Sequence, residues 1–69
     1  MIIRKFQNRL RELREEKGLS QNQLAKLTGF SNASISRWEN GVQDIASDYL
    51  IVLCKYFGVS ADYLLGLED

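Results

Sequence analysis

Five glycines divide a chain that has no proline into helix-length segments. Gly18, Gly29, Gly41, Gly58 and Gly66 each follow a segment of helical periodicity, and each is placed to stand just past a helix end. No stretch alternates apolar and polar residues between turn signals, so strands have little support. The spacing predicts five helices and an all-α fold.

The helix ends follow from local signals. A first helix is expected from about Lys5 to Lys17, with Phe6, Leu10 and Leu13 as its buried stripe. A second starts at Ser20, where Ser20 and Gln23 form an S-x-x-Q capping box and Leu19 can staple to Leu24. Leu24, Ala25 and either Leu27 or Thr28 face inward. Only Phe30 and Ser31 separate Gly29 from the next helix, and so short a turn makes two helices cross steeply instead of lying antiparallel.

The stretch Phe30 to Gly41 then reads as one short helix with two unlike faces. Ser31 stands at the N-cap, Phe30 and Ile35 at the two ends of a hydrophobic staple, and Gly41 where a left-handed turn ends the helix. Ile35 and Trp38 face a core. Asn32, Ala33, Ser36 and Arg37 form a small, polar, mostly uncharged surface opposite, suited to reading another surface.

A fourth helix is expected between about Ile45 and Phe57, with Asp44 and Ser47 as competing N-caps. Leu50, Leu53, Cys54 and Phe57 make one apolar stripe and Tyr49, Val52 and Tyr56 a second, which is more apolar circumference than one core requires. A last helix of one or two turns runs from the Ser60 cap through Leu65, with Val59 facing Leu64.

Sixty-nine residues are expected to form a single domain over 1–69, with a helical core at about 5–66 and flanking tails at 1–4 and 67–69. A lone cysteine, Cys54, and the absence of histidine exclude an intramolecular disulfide and a Cys/His zinc site, and no metal or cofactor is expected. The longest apolar run, Tyr49 to Cys54, is far short of the roughly 20 residues that span a bilayer, and the start MIIRKF lacks a signal-peptide core. A cytoplasmic protein without membrane contact is expected. The formal net charge of +0 hides an asymmetry: through residue 40 there are eight Lys/Arg against four acids, and from Gly41 onward one lysine against five acids. The positive half holds the two-faced helix, which is where a polyanion would dock.

From Leu10 to Leu67 the sequence resembles the phage-repressor/Cro-type (XRE-like) helix-turn-helix domain. The resemblance rests on four pieces in order: LRELREEKGLSQ (Leu10 to Gln21), QLA…G…S (Gln23 to Ser31), ISRWENG (Ile35 to Gly41) and FGVSADYLLG (Phe57 to Gly66). It implies a lambda-repressor-like five-helix DNA-binding domain whose second and third helices form the helix-turn-helix. It further implies a regulator of transcription, a repressor by expectation, bound as a homodimer to a pseudo-palindromic stretch of double-stranded DNA. Carried over by position, Gln21, Asn40 and Ser31 are expected to contact phosphates, and Asn32, Ala33, Ser36 and Arg37 to read bases. Arg37 suits O6 and N7 of guanine, Asn32 suits N6 and N7 of adenine, Ala33 suits a thymine methyl, and Ser36 is non-committal. An ordinary exposed position for Gln21, a C-terminal cap for Asn40 and a merely solvated helix face for the readers are the alternatives. Arg14 and Glu39 are expected to pair and tie the first helix to the third, and Trp38 and Cys54 to belong to the core.

The loop Val42 to Ser47 departs from that pattern. It carries no lysine or arginine for phosphates and contributes Asp44 instead, so a shallow salt dependence and a modest monomer affinity are expected. Dimerisation would then compensate, with Tyr49, Val52, Tyr56, Tyr63 and Leu67 as candidate interface residues; packing beneath the C-terminal tail is the other use of that face. Without a second domain, no small-molecule effector site is expected. A different class of function, a protein-interaction module such as an antitoxin or anti-repressor, would use the acidic half and the apolar face of the fourth helix. An enzyme is the weakest reading, since the chain has no histidine and no G-x-x-x-x-G-K-[ST] phosphate loop.

Overall fold

Local capping chemistry decides where most of the helices begin. The computed structural model describes residues 4–67, and in them the chain forms α1 (Arg4–Glu16), α2 (Gln21–Thr28), α3 (Asn32–Asn40), α4 (Ser47–Phe57) and α5 (Ala61–Leu65), with no strand among the described residues. Residues 1–3 and 68–69, part of the expected tails, lie outside the described residues. At α2 the capping box closes both ways: Gln23 N–H donates to Ser20 Oγ at 3.1 Å and Ser20 N–H donates to Gln23 Oε1 at 2.7 Å. Ser31 accepts from Ser34 N–H at 3.0 Å and Ser60 from Tyr63 N–H at 3.0 Å, which starts α3 and α5 in the same manner.

The start of α4 differs from the sequence expectation. Neither Asp44 nor Ser47 caps it; the N-cap is Ala46, which has no side-chain oxygen. Ser47 is already the first helical residue and Asp44 lies two positions before the cap, so neither carries the N-cap oxygen that would meet the second or third amide. Asp48 in the first turn places a negative charge at the positive helix end instead.

One core unites the five helices: Phe6 and Leu10 from α1, Leu24 and Ala25 from α2, Ile35 and Trp38 from α3, Leu53 from α4 and Leu64 from α5. Leu13, Leu50, Cys54 and Phe57 are partly buried against it. In α2 it is Thr28 that turns inward, its hydroxyl donating to the Leu24 carbonyl at 2.8 Å, while Leu27 is exposed. Leu27 falls outside the arc of the helix that Leu24, Ala25 and Thr28 share.

Gly41 is where a glycine is needed twice over. Its φ of +74° closes α3 with its N–H on the Arg37 and Trp38 carbonyls, and a Cβ there would stand 2.2 Å from the Gln7 amide nitrogen on α1. The close approach lets α1 lie against α3, with α2 on the other flank of α3 and α5 packed across α1. No helix of the described residues is long and apolar enough to cross a membrane.

Candidate nucleic-acid interface

The outer face of α3 can act as a unit only if its inner face is immobile, and three buried residues hold it. Ile35 and Trp38 are fully enclosed, and Trp38 meets Phe30 edge-on at a centroid distance of 5.6 Å and Tyr49 at a tilt at 5.5 Å. Phe30, in the turn between α2 and α3, is also edge-on to Tyr49 at 5.1 Å. The turn and the first residues of α4 therefore share one aromatic cluster with α3.

Glu39 is the third anchor and, among the described residues, the one charged residue that is buried. Arg14 grips it with two bonds, Nε to Oε2 at 2.7 Å and Nη2 to Oε1 at 2.9 Å, and gives a third donor to the Leu19 carbonyl at 2.8 Å. One side chain of α1 thus ties together the α1–α2 turn and the last turn of α3. Two further residues join that the sequence reading assigned elsewhere or passed over. Arg11 reaches Glu39 Oε1 at 3.5 Å and the Glu39 backbone carbonyl at 3.2 Å, and Gln21 donates its amide to Oε1 at 3.2 Å. The available signal for Arg11 was its i, i+3 spacing from Arg14, which puts both guanidiniums on one side of α1. Gln21, expected at a phosphate, spends one amide donor inside the protein.

Burial pushes the Glu39 carboxyl up, but the hydrogen bonds from Arg14, Gln21 and Arg11 and the Arg14 charge outweigh it and hold the group below its ordinary value of 4.5. The same bond raises the Arg14 guanidinium further. A carboxyl with a depressed folded-state pKa contributes stability that is complete above the ordinary carboxylate range and is lost as pH falls through the folded value. Thermal melts should therefore show little Glu39-dependent change above the ordinary carboxylate range and a progressive loss as the pH falls below it. Glu39→Gln should flatten part of that acid limb; an unaltered limb would mean that Glu39 does not contribute to it.

The outer face is free by contrast. Asn32, Ala33 and Arg37 are exposed and Ser36 is half-exposed, and among the described residues the side chains of Asn32 and Arg37 make no hydrogen bond or ion pair. Ser31 is engaged as the cap, and its hydroxyl also donates to Ser34 Oγ at 2.9 Å. Asn40, the last residue of α3, does not bond a terminal carbonyl; its amide nitrogen lies 3.2 Å from Ser36 Oγ, one turn back on the same face.

The residues expected to form one interface patch divide. Tyr56 packs on the core, edge-on to Phe57 and beneath Lys17. Tyr63 lies under the Arg9 guanidinium, 4.2 Å from the ring centre, because α5 crosses α1 there. Tyr49 is shared with Trp38 and Phe30 but remains 46% exposed, and Val52, its neighbour Ile51, and Leu67 are exposed. Cys54 is half-buried and burial pushes its thiol up, as suits a packing residue and not a reactive one.

Two helices joined by a three-residue turn, the second locked on its inner face and accessible on its outer one, define the helix-turn-helix class of domain. Residues 10–64 match the family model described as Helix-turn-helix, and the chain belongs to this phage-repressor/Cro-type family. It is 38% identical over 61 residues to an uncharacterized HTH-type transcriptional regulator, YobD, of Bacillus subtilis, a match covering 88% of this chain and 54% of that protein. Among solved structures it is similar to the P22 c2 repressor in complex with a synthetic operator, with a TM-score of 0.83 and 33% identity over 91% of this chain and 96% of that one. It is also similar to the restriction-modification controller protein C.AhdI of Aeromonas hydrophila, with a TM-score of 0.80 and 34% identity over 90% and 94% of the two chains. The chain spans about half the length of the first curated relatives it matches, 54% and 48%.

Proposed function

We propose that this chain binds double-stranded DNA sequence-specifically and regulates transcription, as a homodimeric repressor on a pseudo-palindromic operator in the cytoplasm. The observation that carries the reading is the division of α3: an inner face fixed by Ile35, Trp38 and the Glu39 network, and an outer face whose Asn32 and Arg37 side chains are unengaged. Seated in the major groove, Arg37 would bond O6 and N7 of a guanine, Asn32 N6 and N7 of an adenine, and Ala33 a thymine methyl. The backbone N–H of Gln21 in the first turn of α2, its remaining amide proton, and Asn40 supply phosphate contacts. Dimerisation through Val52, Ile51, Leu67 and the open edge of Tyr49 would set two such helices about 34 Å apart, one turn of the duplex. Nothing in this scheme needs a cofactor or a catalytic group.

Binding titrations separate the roles. Arg37→Ala should cost about 1–3 kcal/mol at the preferred site and relax the preference at one base pair, while Gln21→Ala should weaken all sequences alike. Because the Val42 to Ser47 loop has no lysine or arginine, the slope of log K against log salt should be shallow, each phosphate contact adding only about 0.9. Equal losses for both substitutions on every duplex would overturn the assignment of Arg37.

A protein partner is the second reading, favoured by the exposed Ile51, Val52 and Leu67 in the acidic half of the chain. It predicts a complex that survives Arg37→Ala and is lost with Val52→Glu. Val52 is the better probe than Tyr56, whose replacement would damage the core.

A further inference from the structure

Ser36 is the one member of the reading face that its chemistry leaves open, since a hydroxyl can donate or accept. In the folded chain that freedom is narrowed. The Asn40 amide nitrogen lies 3.2 Å from Ser36 Oγ, one helical turn away, and both side chains are accessible on the outer side of α3. That distance suits an N–H···O bond, whereas an O–H···O bond to the amide oxygen would be shorter, near 2.7–2.8 Å. Asn40 is therefore the donor and Ser36 the acceptor. Ser36 does not use its own proton on the carbonyl one turn back, the usual outlet for a serine inside a helix.

We propose that Asn40 is a positioning residue that sets the polarity of Ser36, so that this serine presents a hydrogen-bond donor to the base it faces. The inference rests on the DNA-reading function proposed above and specifies one element of its specificity. One lone pair of Ser36 is occupied by Asn40, and accepting that bond polarises the O–H and makes it the better donor and the poorer acceptor. With Arg37 beside it, which carries donors alone, the C-terminal part of the reading face becomes a donor row. Guanine and thymine offer acceptors alone in the major groove, while cytosine offers an amino donor alone. The base facing Ser36 is accordingly G or T in preference to C.

The test reverses the polarity. In Asn40→Asp the side chain can only accept at neutral pH, so the Ser36 proton turns to it and the serine oxygen faces outward as an acceptor. Both positions are accessible, so the substitution leaves the core intact. Selection from random duplexes with the wild-type chain gives a motif, and Ser36→Ala marks the position that Ser36 reads as the one whose preference relaxes. At that position Asn40→Asp should move the C to G-or-T ratio toward C by roughly fivefold, what one net hydrogen bond is worth. The added negative charge lowers affinity for all duplexes alike and cancels in the ratio. Asn40→Leu should relax the position without reversing it, and Asn40→Asp should have no effect on base ratios once Ser36 is alanine.

A wild-type motif whose Ser36 position is unchanged in Asn40→Asp overturns this inference and leaves the DNA-reading function standing. Failure of Ser36→Ala to relax any position overturns it equally. Absence of any wild-type motif removes the function itself, so the two failures are distinguishable.

Discussion

Arg14→Ala is expected to lower the unfolding free energy by about 3 kcal/mol or more, the cost of leaving a buried carboxylate without its main partner. The Glu39 side chain is wholly enclosed and Arg14 is only 12% exposed, so solvent cannot replace the lost guanidinium. Arg11 and Gln21 remain on Glu39 Oε1, which keeps the expected loss toward the lower end, but Oε2 and the Leu19 carbonyl both lose their donor. A domain of this length has a total stability of only about 3–10 kcal/mol, so the substitution consumes much of it and should lower the melting midpoint by roughly 15 °C or more. The pairing also predicts strong non-additivity: Arg14→Met combined with Glu39→Met should cost less than Arg14→Ala alone, because no charge is then left buried. Melts followed by far-UV circular dichroism check both results. An unchanged midpoint in Arg14→Ala would remove the network from the account of what holds α3.

Trp38→Ala should be at least as damaging, at about 3–5 kcal/mol, and should leave the chain largely unfolded at physiological temperature. The ring is 1% exposed and joins Phe30 in the interhelical turn to Tyr49 at the start of α4, so its removal opens a cavity where three segments meet. Most of that loss is packing, since the indole N–H makes no hydrogen bond to another protein atom among the described residues. Trp38→Phe keeps an aromatic ring and removes the orphaned donor, and should therefore cost less than half as much. A Phe variant as unstable as the Ala variant would contradict the assignment of the site's stability to aromatic packing.

The parts of this fold that were legible in the sequence are those fixed by neighbouring residues. Ser20 with Gln23, Ser31 with Ser34, and Ser60 with Tyr63 act over three positions, so the starts of α2, α3 and α5 could be placed from the sequence alone. The start of α4 could not, because Ala46 carries no capping atom to mark it. Periodicity identified the apolar faces of α4 but reports only which residues share a side of a helix. It says nothing of what lies opposite, and so it could not show that Tyr63 turns under Arg9 or that Tyr56 packs, partly buried, against the core. The Arg14–Glu39 pair was reached through resemblance, whereas Arg11 and Gln21 join it across 28 and 18 residues of sequence, a convergence that only the packing of α1 and α2 on α3 creates.

The same convergence explains how so short a helix can hold a fixed outer face. α3 has nine residues, too few to be stable in isolation, and its position is set by a buried carboxylate near one end and an aromatic cluster along its inner side. Base-edge contacts require side chains held to within a fraction of an ångström, which a frayed helix would not provide. On the function proposed above, the neutral overall charge and the loop after Gly41, which carries Asp44 and no lysine or arginine, would place the burden of affinity on this geometry and on pairing of two copies.

Whether the outer face of α3 reads duplex DNA is decided by selection of bound duplexes from a random pool at physiological salt. The wild-type chain is predicted to enrich a two-fold-symmetric motif with half-sites about one helical turn apart, and Arg37→Ala to lose the preference at one position in each half. Recovery of no motif, or of a motif indifferent to Arg37, would contradict that reading.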